Sequence, residues 1–140
     1  MMLNSRSIIT NDDVCLHYLT AGRGRPMVLA LGWSQTAAMF TQLLDDLSKD
    51  YTVIAFDMRG HGASEKPDCG YRIAWFAADA AGVIAKFDLD GAILFGHPMG
   101  CAVISSYLEM FGRDCVSRLA PIDQAPVVTA WPDWSDCRDF

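Results

Sequence analysis

The chain of 140 residues has no cluster of lysine and arginine. With 11 basic against 17 acidic side chains, its formal net charge is −6. A surface of that sign repels a phosphate backbone, so nucleic acid is not an expected partner. No apolar run approaches the roughly 20 residues that span a bilayer, and no membrane association is expected. The opening stretch, MMLNSRSIITNDD, lacks the apolar core of a secretory signal. The cysteines at 15, 69, 101, 115 and 137 are odd in number and never in C-x-x-C spacing. Neither a disulfide framework nor a zinc site is signalled. A reduced, cytoplasmic setting is expected, with no metal and no other cofactor. Arg59-Gly60-His61-Gly62-Ala63-Ser64 follows an apolar run but lacks a third glycine, and G-K-S or G-K-T occurs nowhere. Those two gaps argue against nucleotide binding.

Apolar residues make up 51% of the chain and charged residues 20%, a balance that builds a core rather than a disordered tail. The length suits one domain. Short apolar runs alternate with helix-length amphipathic segments. Ser7–Thr10 and Val14–Thr20 read as an antiparallel hairpin turning at Asn11-Asp12-Asp13. Met27–Leu31 is a continuous apolar run, the pattern of a strand buried on both faces. Ala37, Phe40, Leu44 and Leu47 recur at helical spacing, and Thr52–Phe56 is the next strand. Phe76, Ala80, Val83 and Phe87 mark a second helix, Ala92–Phe95 a strand, and Ile104, Tyr107, Leu108 and Phe111 a third helix. Arg118–Asp123 closes the series. The order predicts an α/β fold: a mostly parallel sheet of about six strands with helices on both faces. Ligands bind beyond the carboxyl ends of such strands, which here carry Gly32-Trp33, Asp57, Gly96–Gly100 and Asp123.

Four stretches in order, LALGWSQ, FDMRGHGAS, GHPMG and RLAPIDQAP, resemble the α/β-hydrolase superfamily, particularly its esterase, lipase and non-haem-haloperoxidase-like members. The resemblance implies a partial hydrolase fold: residues 1–126 as the N-terminal part of the core, and 127–140 as a tail or the start of a lid bearing Trp131 and Trp134. Members of the family run on well beyond this length, adding a lid, two strands and a catalytic histidine, so a truncated product is expected. The last strand, holding Pro121, becomes an edge, and an exposed edge invites self-association.

By the same resemblance, Gly96-His97-Pro98-Met99-Gly100 is the G-x-S-x-G nucleophile elbow with proline in place of serine. The oxyanion-hole donors are then the backbone N–H groups of Trp33 and Met99. Proline has no hydroxyl, and its ring fixes φ near −65°, away from the strained conformation of an elbow nucleophile. It suits the first turn of a helix instead. The family's catalytic histidine follows the nucleophile in sequence, whereas the three histidines here are His17, His61 and His97. His61 reads as a loop residue, His97 as a packing or hydrogen-bonding residue, and His17 as an outward-pointing strand residue. Asp123 occupies a position where some relatives place the acid, yet without a histidine it reads as a turn or cap residue. Asp57 reads as a structural anchor for the Arg59–Gly62 loop. Cys101 reads as a small buried residue, and Ser105 and Ser106 as mid-helix residues without an activating partner.

The expected function is therefore that of a hydrolase homologue, a pseudoenzyme silent in serine hydrolysis, with a small apolar molecule or a partner protein as ligand. The alternatives are a family enzyme that works without a serine, by proton transfer, elimination or rearrangement, and a truncated product of a full-length hydrolase gene.

Overall fold

The computed structural model describes residues 2–122. Asp123 and the 127–140 segment with Trp131 and Trp134 lie outside the described residues. Six strands form one sheet: β1 (Asn4–Ile9), β2 (Cys15–Ala21), β3 (Arg25–Ala30), β4 (Tyr51–Phe56), β5 (Ala92–Gly96) and β6 (Val116–Pro121). Their spatial order is β1-β2-β4-β3-β5-β6. β1 pairs antiparallel with β2, and β2 with β4, while the β4–β3, β3–β5 and β5–β6 ladders are parallel.

The apolar run of β3 divides its side chains between two cores, as its patterning predicts. Val28 and Ala30 join Ile54, Phe56 and Leu94 on one face, beneath α2 (Ile73–Lys86) and α3 (Met99–Phe111). Met27 and Leu29 join Val53, Ala55 and Ile93 on the other, against α1 (Thr41–Leu47) and the 3-10 turn Ala37–Phe40 that precedes it. The single helical period read from Ala37 to Leu47 is thus split at Phe40, whose backbone (φ −111°, ψ 15°) is not helical. The hairpin turn falls at the predicted place, with Asp13 at φ 62° and its N–H donating to Thr10 O.

Boundaries move by a few residues. β1 begins at Asn4 instead of Ser7, because Asn4 and Ser5 pair with Thr20 and Leu19 whatever their polarity. β6 runs over Val116–Pro121 instead of beginning at Arg118, with an irregularity in its ladder beside Ala92 and Ile93. Among the described residues β6 is an edge strand, and Leu119 is half exposed.

One close approach sets the geometry of everything at the carboxyl end of the sheet. A Cβ on Gly100 would fall on the carbonyl oxygen of Ala30, and a Cβ on Gly96 would meet the backbone of Gly100 and Cys101. Only glycine lets α3 leave β5 this tightly. Gly100→Ala is expected to cost about 3 kcal/mol by forcing helix and strand apart, read as a lower urea midpoint. An unchanged midpoint would refute the close approach.

Candidate functional site

Three strand ends converge at the β5–α3 corner. Pro98 precedes the first residue of α3 with φ −68° and ψ −49°, ordinary right-handed values. The non-glycine residues at positive φ among those described are Asp13, Ser34 and Asp88, none of them at the corner's centre. The Pro98 ring abuts Gly32, where a Cβ would fall on its Cδ. The loop after β3 folds on itself there: Gly32 N–H donates to Gln35 Oε1 at 2.7 Å, and Gln35 N–H donates to Gly32 O at 3.1 Å. Gln35 Oε1 also accepts from His97 Nδ1 at 3.1 Å, so one amide ties the loop to the corner. The His97 ring packs edge-on to Phe40.

Trp33 is 65% exposed and meets the His61 ring edge-on at 5.2 Å between centroids. His61 is buried, and its Nδ1 is oriented by Arg59 O at 3.0 Å. At the start of α3, His97 N–H is used by Ala30 O and Cys101 N–H by Pro98 O. The N–H groups of Trp33 and Met99 have no backbone acceptor among the described residues.

A family model described as alpha/beta hydrolase fold matches residues 25–140. The chain belongs to the α/β-hydrolase-fold family. It is 37% identical over 111 residues to a soluble epoxide hydrolase of a Corynebacterium strain, covering 79% of this chain and 38% of that protein. It is 39% identical over 115 residues to a 2-(acetamidomethylene)succinate hydrolase of Mesorhizobium japonicum, covering 82% and 41%. Among solved structures, an esterase from Exiguobacterium antarcticum superposes with a TM-score of 0.88 at 30% identity, over 94% of this chain and 50% of that one. The chain thus spans half or less of the length of these α/β-hydrolase relatives.

Within this α/β-hydrolase frame the remaining sequence candidates separate. Cys101 is buried, its thiol directed at Gly96 O at 3.3 Å. Ser105 Oγ donates back to Cys101 O, and Ser106 Oγ reaches Met110 Sδ, so neither hydroxyl faces the corner's polar groups. Asp57 anchors its loop by accepting from Ala63 N–H at 3.0 Å and also from Ala37 N–H at 2.7 Å. His17 does not point outward. Its Nδ1 lies 2.9 Å from Asp57 Oδ2 and its Nε2 2.8 Å from Ser5 Oγ. The reason is register: β2 is flanked by β1 and β4, and the antiparallel β2–β4 ladder brings Asp57, just past the end of β4, beside His17. Sequence reasoning missed this pairing, and Gln35 as well.

Two surface concavities, of about 690 and 750 Å³, lie by α2, α3 and the β1–β2 turn, and beside β6. Neither is lined by Trp33, His61, His97 or Pro98.

The loop carrying His61 is held by a buried charge network. Arg59 makes a bidentate pair with Asp79 (2.7 and 2.6 Å) and reaches Asp12 at 2.9 and 3.1 Å, with Trp75 beneath its guanidinium. Arg59 and Asp79 are each 1% exposed. Hydrogen bonds from Arg59 hold the Asp12 carboxyl down from 3.8 to about 2. Burial pushes Asp79 up, opposed by the same guanidinium. Asp79 and Asp12 push Arg59 further up, so it stays charged.

Removing one partner of such a pair strands a buried charge. Asp79→Ala is expected to lower unfolding free energy by about 3 kcal/mol or more in urea titrations; a loss under about 1 kcal/mol would show the pair to be dispensable. The lowered Asp12 value has a pH signature. Its stabilising contribution is full above 3.8 and disappears as pH falls toward about 2. Asp12→Asn should flatten the acid loss of stability across that window, and an unaltered slope would contradict the Arg59–Asp12 coupling.

Proposed function

We propose that in this member of the α/β-hydrolase family the β5–α3 corner is noncatalytic, silent in serine-based hydrolysis, and is kept as a binding site for a small apolar molecule bearing one oxygen acceptor. The observation that carries this reading is Pro98. Acyl transfer at an elbow needs an attacking oxygen, a base for its proton, an acid to orient the base, and donors for the oxyanion. At position 98 a pyrrolidine ring with φ −68° packs on Gly32. The three histidines of these 140 residues, His17, His61 and His97, all precede it in sequence. Nucleophile and base act as a unit, and losing either removes about 10⁶ of kcat.

The binding half of the proposal draws on what the substitution leaves untouched. The N–H groups of Trp33 and Met99 are the donors a carbonyl or carboxylate oxygen would meet, aided by the positive end of α3. The exposed indole of Trp33 supplies an apolar wall. Among the described residues β6 is an edge strand, and that edge is the proposed surface for self-association.

Pro98→Ser separates this reading from that of an enzyme lacking only its hydroxyl. Turnover of p-nitrophenyl butyrate by the 140-residue variant is expected to stay within about threefold of the parent, because every histidine of these residues precedes position 98. A rise of about 100-fold would reveal a working base and overturn the proposal. Binding is read separately: hexanoate should change tryptophan emission saturably, and the change should vanish in Trp33→Phe. Emission indifferent to hexanoate would eliminate the corner as a binding site for this class.

A further inference from the structure

A second constellation joins β1, β2 and the residue just past the end of β4. Ser5, His17 and Asp57 come from these three places and are joined in series: Ser5 Oγ to His17 Nε2 at 2.8 Å, and His17 Nδ1 to Asp57 Oδ2 at 2.9 Å. We propose that Ser5 is an activated nucleophile, acylated or phosphonylated by small electrophilic esters, with His17 as its base and Asp57 as the positioning residue.

The direction of the hydrogen bonds follows from Asp57. Its carboxylate already accepts the N–H groups of Ala37 and Ala63, and it can only accept from His17 as well. Nδ1 of His17 therefore carries a proton, and in the neutral imidazole Nε2 keeps its lone pair toward Ser5, so that the hydroxyl donates to it. An alcohol is a poor nucleophile until a base takes its proton during attack. The series provides that base in the required tautomer and holds its ring.

The arrangement is firm at one end and open at the other. The Asp57 side chain is 3% exposed and that of His17 17% exposed, whereas Ser5 is exposed. The backbone of His17 is fixed too, its N–H donating to Ser64 Oγ and its carbonyl accepting from Asp57 N–H. Ser5 hence presents a polarised oxygen to solvent on a strand that is itself held by the β1–β2 ladder.

With an alkyl fluorophosphonate, Ser5 Oγ would attack phosphorus, His17 Nε2 would take the hydroxyl proton, and fluoride would leave with the P–F electron pair. The product is a phosphonyl ester on Ser5, with the released proton and fluoride passing to solvent. An activated carboxylic ester would react in the same way, its alcohol or phenol departing in place of fluoride.

This inference is independent of Pro98 and of the binding proposed at the corner. The test is a fluorophosphonate reaction on the whole chain, followed by trypsin and mass spectrometry. Cleavage after Arg6 isolates Ser5 as the only hydroxyl residue of peptide 1–6, while Ser7 falls in peptide 7–23. Ser5 should be labelled at least about tenfold faster than any residue of peptide 7–23, an internal comparison that needs no variant. His17→Gln, checked for native-like thermal unfolding, should slow Ser5 labelling roughly 100-fold through loss of the base. Labelling of Ser5 at the rate of Ser7, or a Ser5 rate indifferent to His17→Gln in the folded variant, would overturn the proposal.

Discussion

The packing of the β5–α3 corner against the end of β3 is the contact on which the rest of this structure depends. Gly96 and Gly100 let the helix turn away within van der Waals reach of Ala30, and the Pro98 ring between them rests on Gly32. That single approach aligns three strand ends, aims the first turn of α3 at the loop after β3, and leaves the Trp33 and Met99 N–H groups without backbone acceptors among the described residues. Proline fits this geometry because its fixed φ matches a helix start. In the proposed reading, the substitution preserves the architecture of the corner and removes the group that would react there.

Charge holds the surrounding loops where apolar packing cannot. Arg59 and Asp57 flank Met58, buried just past the end of β4, and reach in different directions. Arg59 ties the loop to α2 through Asp79 and to the hairpin turn through Asp12. Asp57 gathers Ala37, Ala63 and His17. Burying these groups is costly in isolation, and every buried side-chain polar atom among the described residues has a partner. The loops at the carboxyl end are thus pinned from both sides of the sheet. His61 inherits its position beside Trp33 from that pinning.

Much of this was legible in the amino-acid order. The Met27–Leu31 run announced a strand with two buried faces, and alternation of strand and helix lengths announced a parallel sheet. Three of the four family-like stretches fell at strand ends that meet in space, and the fourth begins in β6. What escaped reading depended on register and on side-chain reach. His17 alternates with apolar residues and so reads as outward, but pairing of β2 with β4 places Asp57 beside it. Ser5 lies in a polar opening stretch that carries no strand signal of its own, and its pairing with Leu19 draws it into the ladder. Gln35 belongs to no motif; its role appears only when the β3 loop and the corner are adjacent. The split at Phe40 is a local backbone choice that helical spacing alone does not encode.

The central claim is that no side chain at the corner forms a covalent bond with an acyl substrate. Trypsin releases the β5–α3 part of the corner as one peptide, residues 87–113, carrying His97, Pro98, Cys101, Ser105 and Ser106. Rapid acid quenching of the protein during reaction with p-nitrophenyl acetate, followed by mass analysis of that peptide, tests the claim directly. The account predicts an unmodified peptide at every time point, whereas an acetyl group accumulating on it within the first turnover would contradict the account.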